Sequence, residues 1–100
     1  MARMRHQVIL APEAAQDLRS LAAHMRATVR AAIQKHLRHQ PTRTSKSRIK
    51  RLRELSHPQF RLRVNDIRVF YDVNEGRVEI LAIVLKSAAE TWLEEVGERA

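Results

Sequence analysis

The chain has 100 residues, 44% of them hydrophobic, and 19 Lys+Arg against 11 Asp+Glu give a formal charge of +8 at pH 7. That length fits a single domain over residues 1–100, and the hydrophobic share excludes a disordered basic tail. The absence of cysteine excludes disulfide scaffolds, zinc ribbons and thiol nucleophiles, and no apolar run approaches the ~20 residues of a membrane span.

The opening residues, Met1-Ala2-Arg3-Met4-Arg5-His6, lack the apolar stretch of a signal peptide, so a cytoplasmic protein without membrane association is expected. Gln7-Val8-Ile9-Leu10 is short and β-branched and ends at Ala11-Pro12, which predicts a strand running into a helix. Pro12 suits the first helical turn, and Glu13 and Asp17 favour the positive end of the helix dipole. Leu18, Leu21, Met25, Val29, Ile33 and Leu37 then recur at three- and four-residue steps, an amphipathic stripe. No glycine or proline interrupts residues 13–40, so one long helix and a pair of packed helices both fit, with a break expected near Ala22–His24. Gln40-Pro41 ends the segment, and Thr42–Ser47 reads as a polar, basic loop.

From Ile49 the hydrophobic period changes. Ile49–Leu55 is predicted to be a short strand and Ser56-His57-Pro58 a turn. Phe60–Val64 alternates strictly, Asn65-Asp66 is a two-residue hairpin signal, and Ile67–Val73 is the return strand. Asn74-Glu75-Gly76 forms a second turn, with glycine available for a positive φ. Val78–Leu85 is nearly continuous apolar sequence, as in a strand covered on both faces. Ser87 with Glu90 makes a capping-box pattern for a final helix that Gly97 ends. The expected fold is α+β: N-terminal helical layer, a mostly antiparallel twisted sheet of about four to five strands, and a short C-terminal helix.

The charge is unevenly placed. Residues 1–60 hold 13 Lys+Arg and 3 Asp+Glu, whereas residues 61–100 hold 6 and 8. The window Lys35–Arg63 carries ten basic residues against one acid, Glu54, which is expected to pair with a neighbouring arginine. Such a concentration supplies sequence-independent phosphate affinity, and makes Lys46, Arg48, Lys50, Arg51 and Arg53 candidate contacts with a nucleic acid or another polyanion.

The Asn65-Asp66 turn fixes a register in which Val64 faces Ile67, Arg63 faces Arg68, Leu62 faces Val69, Arg61 faces Phe70 and Phe60 faces Tyr71. One face of the hairpin is then core, and the other carries Arg61, Arg63, Arg68 and Phe70. Like charges directly opposite one another destabilise a sheet, so three guanidiniums side by side make sense when an anion neutralises them. The structural alternative is an exposed face whose arginines discourage edge pairing, a task that lysine or mixed charge serves better. Phe70 on that face is a candidate base-stacking residue.

At these residues the chain resembles the RelE/ParE superfamily of type II toxin–antitoxin toxins. The resemblance is carried by Lys50-Arg51-Leu52, Gln59-Phe60-Arg61-Leu62-Arg63-Val64, Ile67-Arg68-Val69-Phe70-Tyr71-Asp72-Val73, and Val78-Glu79-Ile80-Leu81-Ala82-Ile83 through to Lys86 and the closing helix. It implies a RelE-like fold with two N-terminal helices on the sheet. In the RelE-like branch it implies cleavage of mRNA on the ribosome by attack of a ribose 2′-hydroxyl on the adjacent phosphate. By motif position Arg68 and Arg63 would clamp the phosphate, Arg61 would support them, and Lys86 would take a further basic role. The resemblance also implies a cognate antitoxin whose acidic segment covers the basic groove, operator DNA bound only through that antitoxin, and no cofactor or metal. The family's C-terminal tyrosine or histidine is missing, since Lys86-Ser87-Ala88-Ala89-Glu90-Thr91-Trp92-Leu93 contains neither. That departure keeps two alternatives open: a ParE-like inhibitor of DNA gyrase, and a binder that blocks translation without cutting. Trp92 spaces with Leu93 and Val96 as a core residue, and serves less well as a base-stacking one. His36 and His39, one helical turn apart, lack further ligands and read as part of the basic face; His57 reads as an exposed turn residue.

Overall fold

The computed structural model describes residues 5–100. Strand β1 (Gln7–Leu10) leads into helices α1 (Pro12–Ser20) and α2 (Ala23–Leu37). Strands β2 (Ile49–Arg51), β3 (Leu55–His57), β4 (Phe60–Val64), β5 (Ile67–Asn74) and β6 (Arg77–Leu85) follow, then α3 (Lys86–Val96) and β7 (Glu98–Arg99). The main sheet has five strands in the order β1-β6-β5-β4-β2, antiparallel except where β1 runs parallel to β6; β3 and β7 form a separate two-stranded sheet. The expected α+β class, with a mostly antiparallel sheet, holds.

The helical stripe breaks without glycine or proline. Leu21 and Ala22 adopt extended ψ values of 150° and 149°, and Leu21 N–H closes α1 on the carbonyl of Leu18. Two helices therefore pack Ala14, Leu18, Val29, Ile33 and Leu37 against one face of the sheet. That face is supplied by Phe60, Leu62, Val64, Ile67, Val69 and Tyr71, all buried, in the register the Asn65-Asp66 turn demands. Asn65 takes the positive φ of 53° that such a turn requires, and Glu75 and Gly76 do the same at the next hairpin, at 40° and 78°. The Tyr71 hydroxyl donates to the Pro41 carbonyl at 2.6 Å, tying the α2–β2 loop to the core, and burial raises its pKa.

Several expectations change. Ile49–Leu55 is not one strand: β2 stops at Arg51, and Leu55–His57 turns away to pair with β7 where a turn was expected at Ser56-His57-Pro58. Val78–Leu85 is not covered uniformly, since Glu79 and Leu85 are exposed. A register shift between Phe70 and Tyr71 opposite β6 leaves Leu81 as an extra residue, so the core positions change phase from Val78 and Ile80 to Ile83. Near that bulge the Ile83 N–H is taken by the Asp17 carboxylate at 2.9 Å, a tertiary bond beyond the helix-dipole role expected of Asp17. The final helix begins at Lys86 with Leu85 as its cap and no side-chain bond, so Ser87 does not form a capping box; Gly97 ends the helix as expected. Among the described residues, no helix is long and apolar enough to cross a membrane.

Candidate functional site

The sheet face opposite α1 and α2 is where the cations collect. Cross-strand partners share a face, so Lys50, Arg61 and Phe70 form one row. The Arg63 N–H bonds to the Arg48 carbonyl at 2.8 Å, which extends the ladder and sets Arg48, Arg63 and Arg68 in the next row. Arg48, Lys50 and Arg63 are exposed and Arg61 is half-buried. No Lys or Arg among the described residues lies within ion-pair distance of a carboxylate; the only such pair is His57 with Asp72. Glu54 therefore does not pair with an arginine as expected.

Arg61 sits under the greatest electrostatic pressure. Burial, then the guanidiniums of Arg68 and Arg63, lower its pKa from the ordinary arginine value. Its Nε is buried and has no hydrogen-bond partner. A buried donor left open beside two like charges is a cost that an arriving oxyanion offsets.

Two of the four hairpin residues do not lie open as the alternation implied. Arg68 is only 7% exposed. Its Nη1 donates to the carbonyls of Asn65 at 2.8 Å and Ile67 at 3.1 Å, so it braces its own turn directly opposite Arg63. Phe70 is buried beneath Trp92, the rings stacked with centroids 5.0 Å apart and planes at 11°. α3 lies across this face, and Phe70 is unavailable to stack on a base; Trp92 is its packing partner.

The remaining candidates divide. Lys86 is exposed at the start of α3, and its N–H is fastened to the Asp66 carbonyl at 2.7 Å, which holds it at the hairpin end of the face. Arg51 pairs across from Phe60 on the core side; its guanidinium lies 5.1 Å from that ring and donates to the Gln59 carbonyl at 3.0 Å, so it stands outside the Lys50–Arg61–Phe70 row. Arg53 borders, with Lys50 and Leu93, a groove of about 540 Å³ along β2, and Lys46 stands exposed in the loop before it. Sequence reasoning missed the pair made by His57 Nδ1 and Asp72 Oδ2, half-buried rather than exposed in a turn. Asp72 Oδ1 also takes the Gln59 N–H at 2.7 Å, and Gln59 Oε1 takes the Val73 N–H at 2.9 Å, so the pair anchors β3 to β5. The signal was present in the register, which sets Gln59 beside Asp72. Among the described residues, no three His, Asp or Glu side chains come together as metal ligands.

A sheet with helices on one face, an arginine hairpin on the other and a helix laid over it has relatives. The sequence profile described as "ParE toxin of type II toxin-antitoxin system, parDE" matches residues 8–90. The chain belongs to this family. This toxin also shares its fold with chains of solved RelBE and RelE-RelB complexes. The RelBE2 toxin-antitoxin complex from Mycobacterium tuberculosis matches at TM-score 0.71 and 23% identity, over 84% of this chain and 94% of that one. The RelE-RelB complex from Pyrococcus horikoshii OT3 matches at 0.68 and 22%, over 83% and 97%. The RelB-RelE complex from Methanococcus jannaschii matches at 0.65 and 18%, over 84% and 96%. No curated protein matches the toxin.

Proposed function

We propose that this toxin arrests translation by gripping mRNA on the ribosome and cleaving it through attack of a ribose 2′-hydroxyl on the adjacent phosphate. The observation that carries the reading is Arg61, desolvated, unpaired at Nε, and set between Lys50 and Phe70 in a face of cations that no carboxylate neutralises. Guanidinium presents parallel N–H donors to the oxygens of a phosphodiester. As the 2′-oxygen attacks and gives its proton to solvent, the bond from phosphorus to the 5′-oxygen breaks and that oxygen leaves protonated by solvent. Negative charge builds on the non-bridging oxygens, and donors already aimed there hold the transition state more strongly than the ground state. Arg63 is the exposed clamp, Arg61 the desolvated one, and Arg68 keeps the hairpin tip in shape for both. Lys86 flanks them from α3, while Arg48 and Lys50 carry the track toward the sheet edge. No Tyr or His follows Lys86 to complete proton transfer, so the rate rests on charge stabilisation and cleavage is slow. The unpaired cations are also what an acidic antitoxin segment covers, and the structural relatives are complexes with antitoxins. Operator DNA is then bound through the antitoxin.

The family match favours a second reading, a ParE-like inhibitor of gyrase without chemistry of its own, and the closed Phe70–Trp92 stack is consistent with it. Induction in cells without antitoxin, followed by mapping of mRNA 5′ ends, separates the two. Cuts within ribosome-occupied codons, lost in the Arg61→Ala/Arg63→Ala variant, support the nuclease. Intact mRNA with gyrase-linked DNA breaks overturns it, as does growth arrest that survives in the double variant.

A further inference from the structure

A second cluster of cations lies around the sheet edge from the arginine face. The C-terminal turn of α2 and the loop leading to β2 enclose a cavity of about 260 Å³. Lys35, His36, Arg43 and Arg48 line it together with the hydroxyl residues Thr44 and Ser45, and no acidic residue lines it. None of these cations has a carboxylate within ion-pair distance among the described residues. The lining is ordered: Arg43 Nη1 is steered by Gln40 Oε1 at 3.1 Å, and Ser45 Oγ accepts the N–H groups of Arg48 at 3.0 Å and Ile49 at 3.4 Å. With its lone pairs used, the Ser45 hydroxyl has its proton left to donate. Four positive or protonatable groups converge here at the C-terminal end of a helix, where the dipole helps to hold them.

We propose that this cavity is a phosphate site, and that it takes a backbone phosphate of the RNA strand that crosses the arginine face. The site stands on its own geometry; its macromolecular source rests on the translation-directed reading above. Arg48 joins the two regions. It lines the cavity, bonds through its carbonyl to the Arg63 N–H, and reaches the Arg63 carbonyl with Nη1 at 3.3 Å. A nucleic-acid strand offers a charge at every nucleotide along one continuous track, whereas an extended acidic peptide turns alternate side chains to opposite sides. The continuity from cavity through Arg48 to Arg63 and Arg61 fits the former.

His36 reports on occupancy. Burial, then Arg48 and Lys35, lower its pKa from the ordinary 6.5. The charged groups facing it are Lys35 from its own helix and Arg43 and Arg48 from the loop, with no carboxylate to oppose them. A phosphate among these groups reverses the local field and draws a proton onto the imidazole, so phosphate binding tightens as pH falls through the histidine range.

The test is to follow the His36 ring by NMR in the full chain during titration with sodium phosphate, and with sodium chloride at matched ionic strength. Phosphate is expected to move the His36 signals and raise the titration midpoint where chloride does not. Arg43→Ala, an exposed loop change checked for folding by its urea midpoint, should weaken that response at least about fivefold, the loss of one charge-assisted contact. A short single-stranded RNA should displace the phosphate, and its log K against log salt slope should fall by about 0.7 for each cavity contact removed in Arg43→Ala and Lys35→Ala. A His36 ring indifferent to phosphate overturns the site. An unchanged salt slope in the variants, or displacement by a glutamate-rich peptide but not by RNA, overturns RNA as its occupant. Absence of RNA binding anywhere, with His36 still answering phosphate, supports the site and overturns the translation-directed reading.

Discussion

The two faces of the central sheet are built to opposite rules. Toward α1 and α2, Phe60, Leu62, Val64, Ile67, Val69 and Tyr71 of the β4–β5 hairpin are all less than a tenth exposed and pack into the apolar core. Toward α3, only a strip around Phe70 and Ala82 is closed, and beside it Arg48, Lys50, Arg61 and Arg63 stand without carboxylate partners. The first face gains its free energy by removing apolar area from water, which involves no charge for salt to screen and no group to titrate. The second holds charges that folding alone opposes, and they make sense as groups waiting for a counter-charge. Under the proposed function, stability and toxicity therefore reside on different sides of the same strands, one residue apart in sequence.

The largest effect expected from that division is at Leu62, wholly buried between Arg61 and Arg63. Leu62→Ala should remove about 2–5 kcal/mol of unfolding free energy, a large share of a small domain's total, and abolish toxicity through loss of fold. Urea unfolding measures it. Next is Asp72→Asn, which leaves the half-buried His57 and Gln59 donors with a weaker partner and should cost about 1–3 kcal/mol. Its signature is local, with faster amide exchange at Gln59 and along Glu98–Arg99 than in the β4–β5 ladder.

Arg63→Ala should shift stability by no more than about 0.5 kcal/mol while abolishing growth arrest. A midpoint displaced as far as in Leu62→Ala would erase the distinction between the faces. The smallest effect concerns acidity. Because the folded state holds the His36 pKa below 6.5, the unfolded chain binds more protons near that value, so stability rises with pH and declines as pH falls through 6.5. His36→Gln should flatten that part of the stability–pH curve at low salt, and a difference curve of the opposite slope would reverse the electrostatic account.

Legibility from sequence followed how local the governing interaction was. The β4–β5 register was readable because Asn65-Asp66 fixes a two-residue turn and Phe60–Val64 alternates without a fault. The bulge at Leu81 was hidden, since in an apolar run a change of phase alters no residue class. Phe70 was read as an exposed partner of Arg61 because its cover, Trp92, comes from a helix whose placement over the sheet is a tertiary matter. Arg68 likewise has the right position in the row but spends its donors on the turn, a choice of rotamer that alternation does not encode. The cavity at His36 needed the α2–β2 loop folded back on its own helix, and the Tyr71–Pro41 bond that holds that loop joins residues 30 apart.

The parallel pairing of β1 with β6 has a consequence for how the protein comes into being. Gln7–Leu10 are paired with Arg77–Ile80, and the two ends of that contact are separated by most of the polypeptide. As the chain is made in N-to-C order, the first strand has no partner until the fifth strand of the sheet exists, and the loop to be closed is residues 11–76. The helices can form early, but the sheet against which they pack is completed late. The arginine face, whose cover and whose Lys86 anchor come from α3, is completed later still. The toxin is thus assembled with its arginine face among the last parts to take shape.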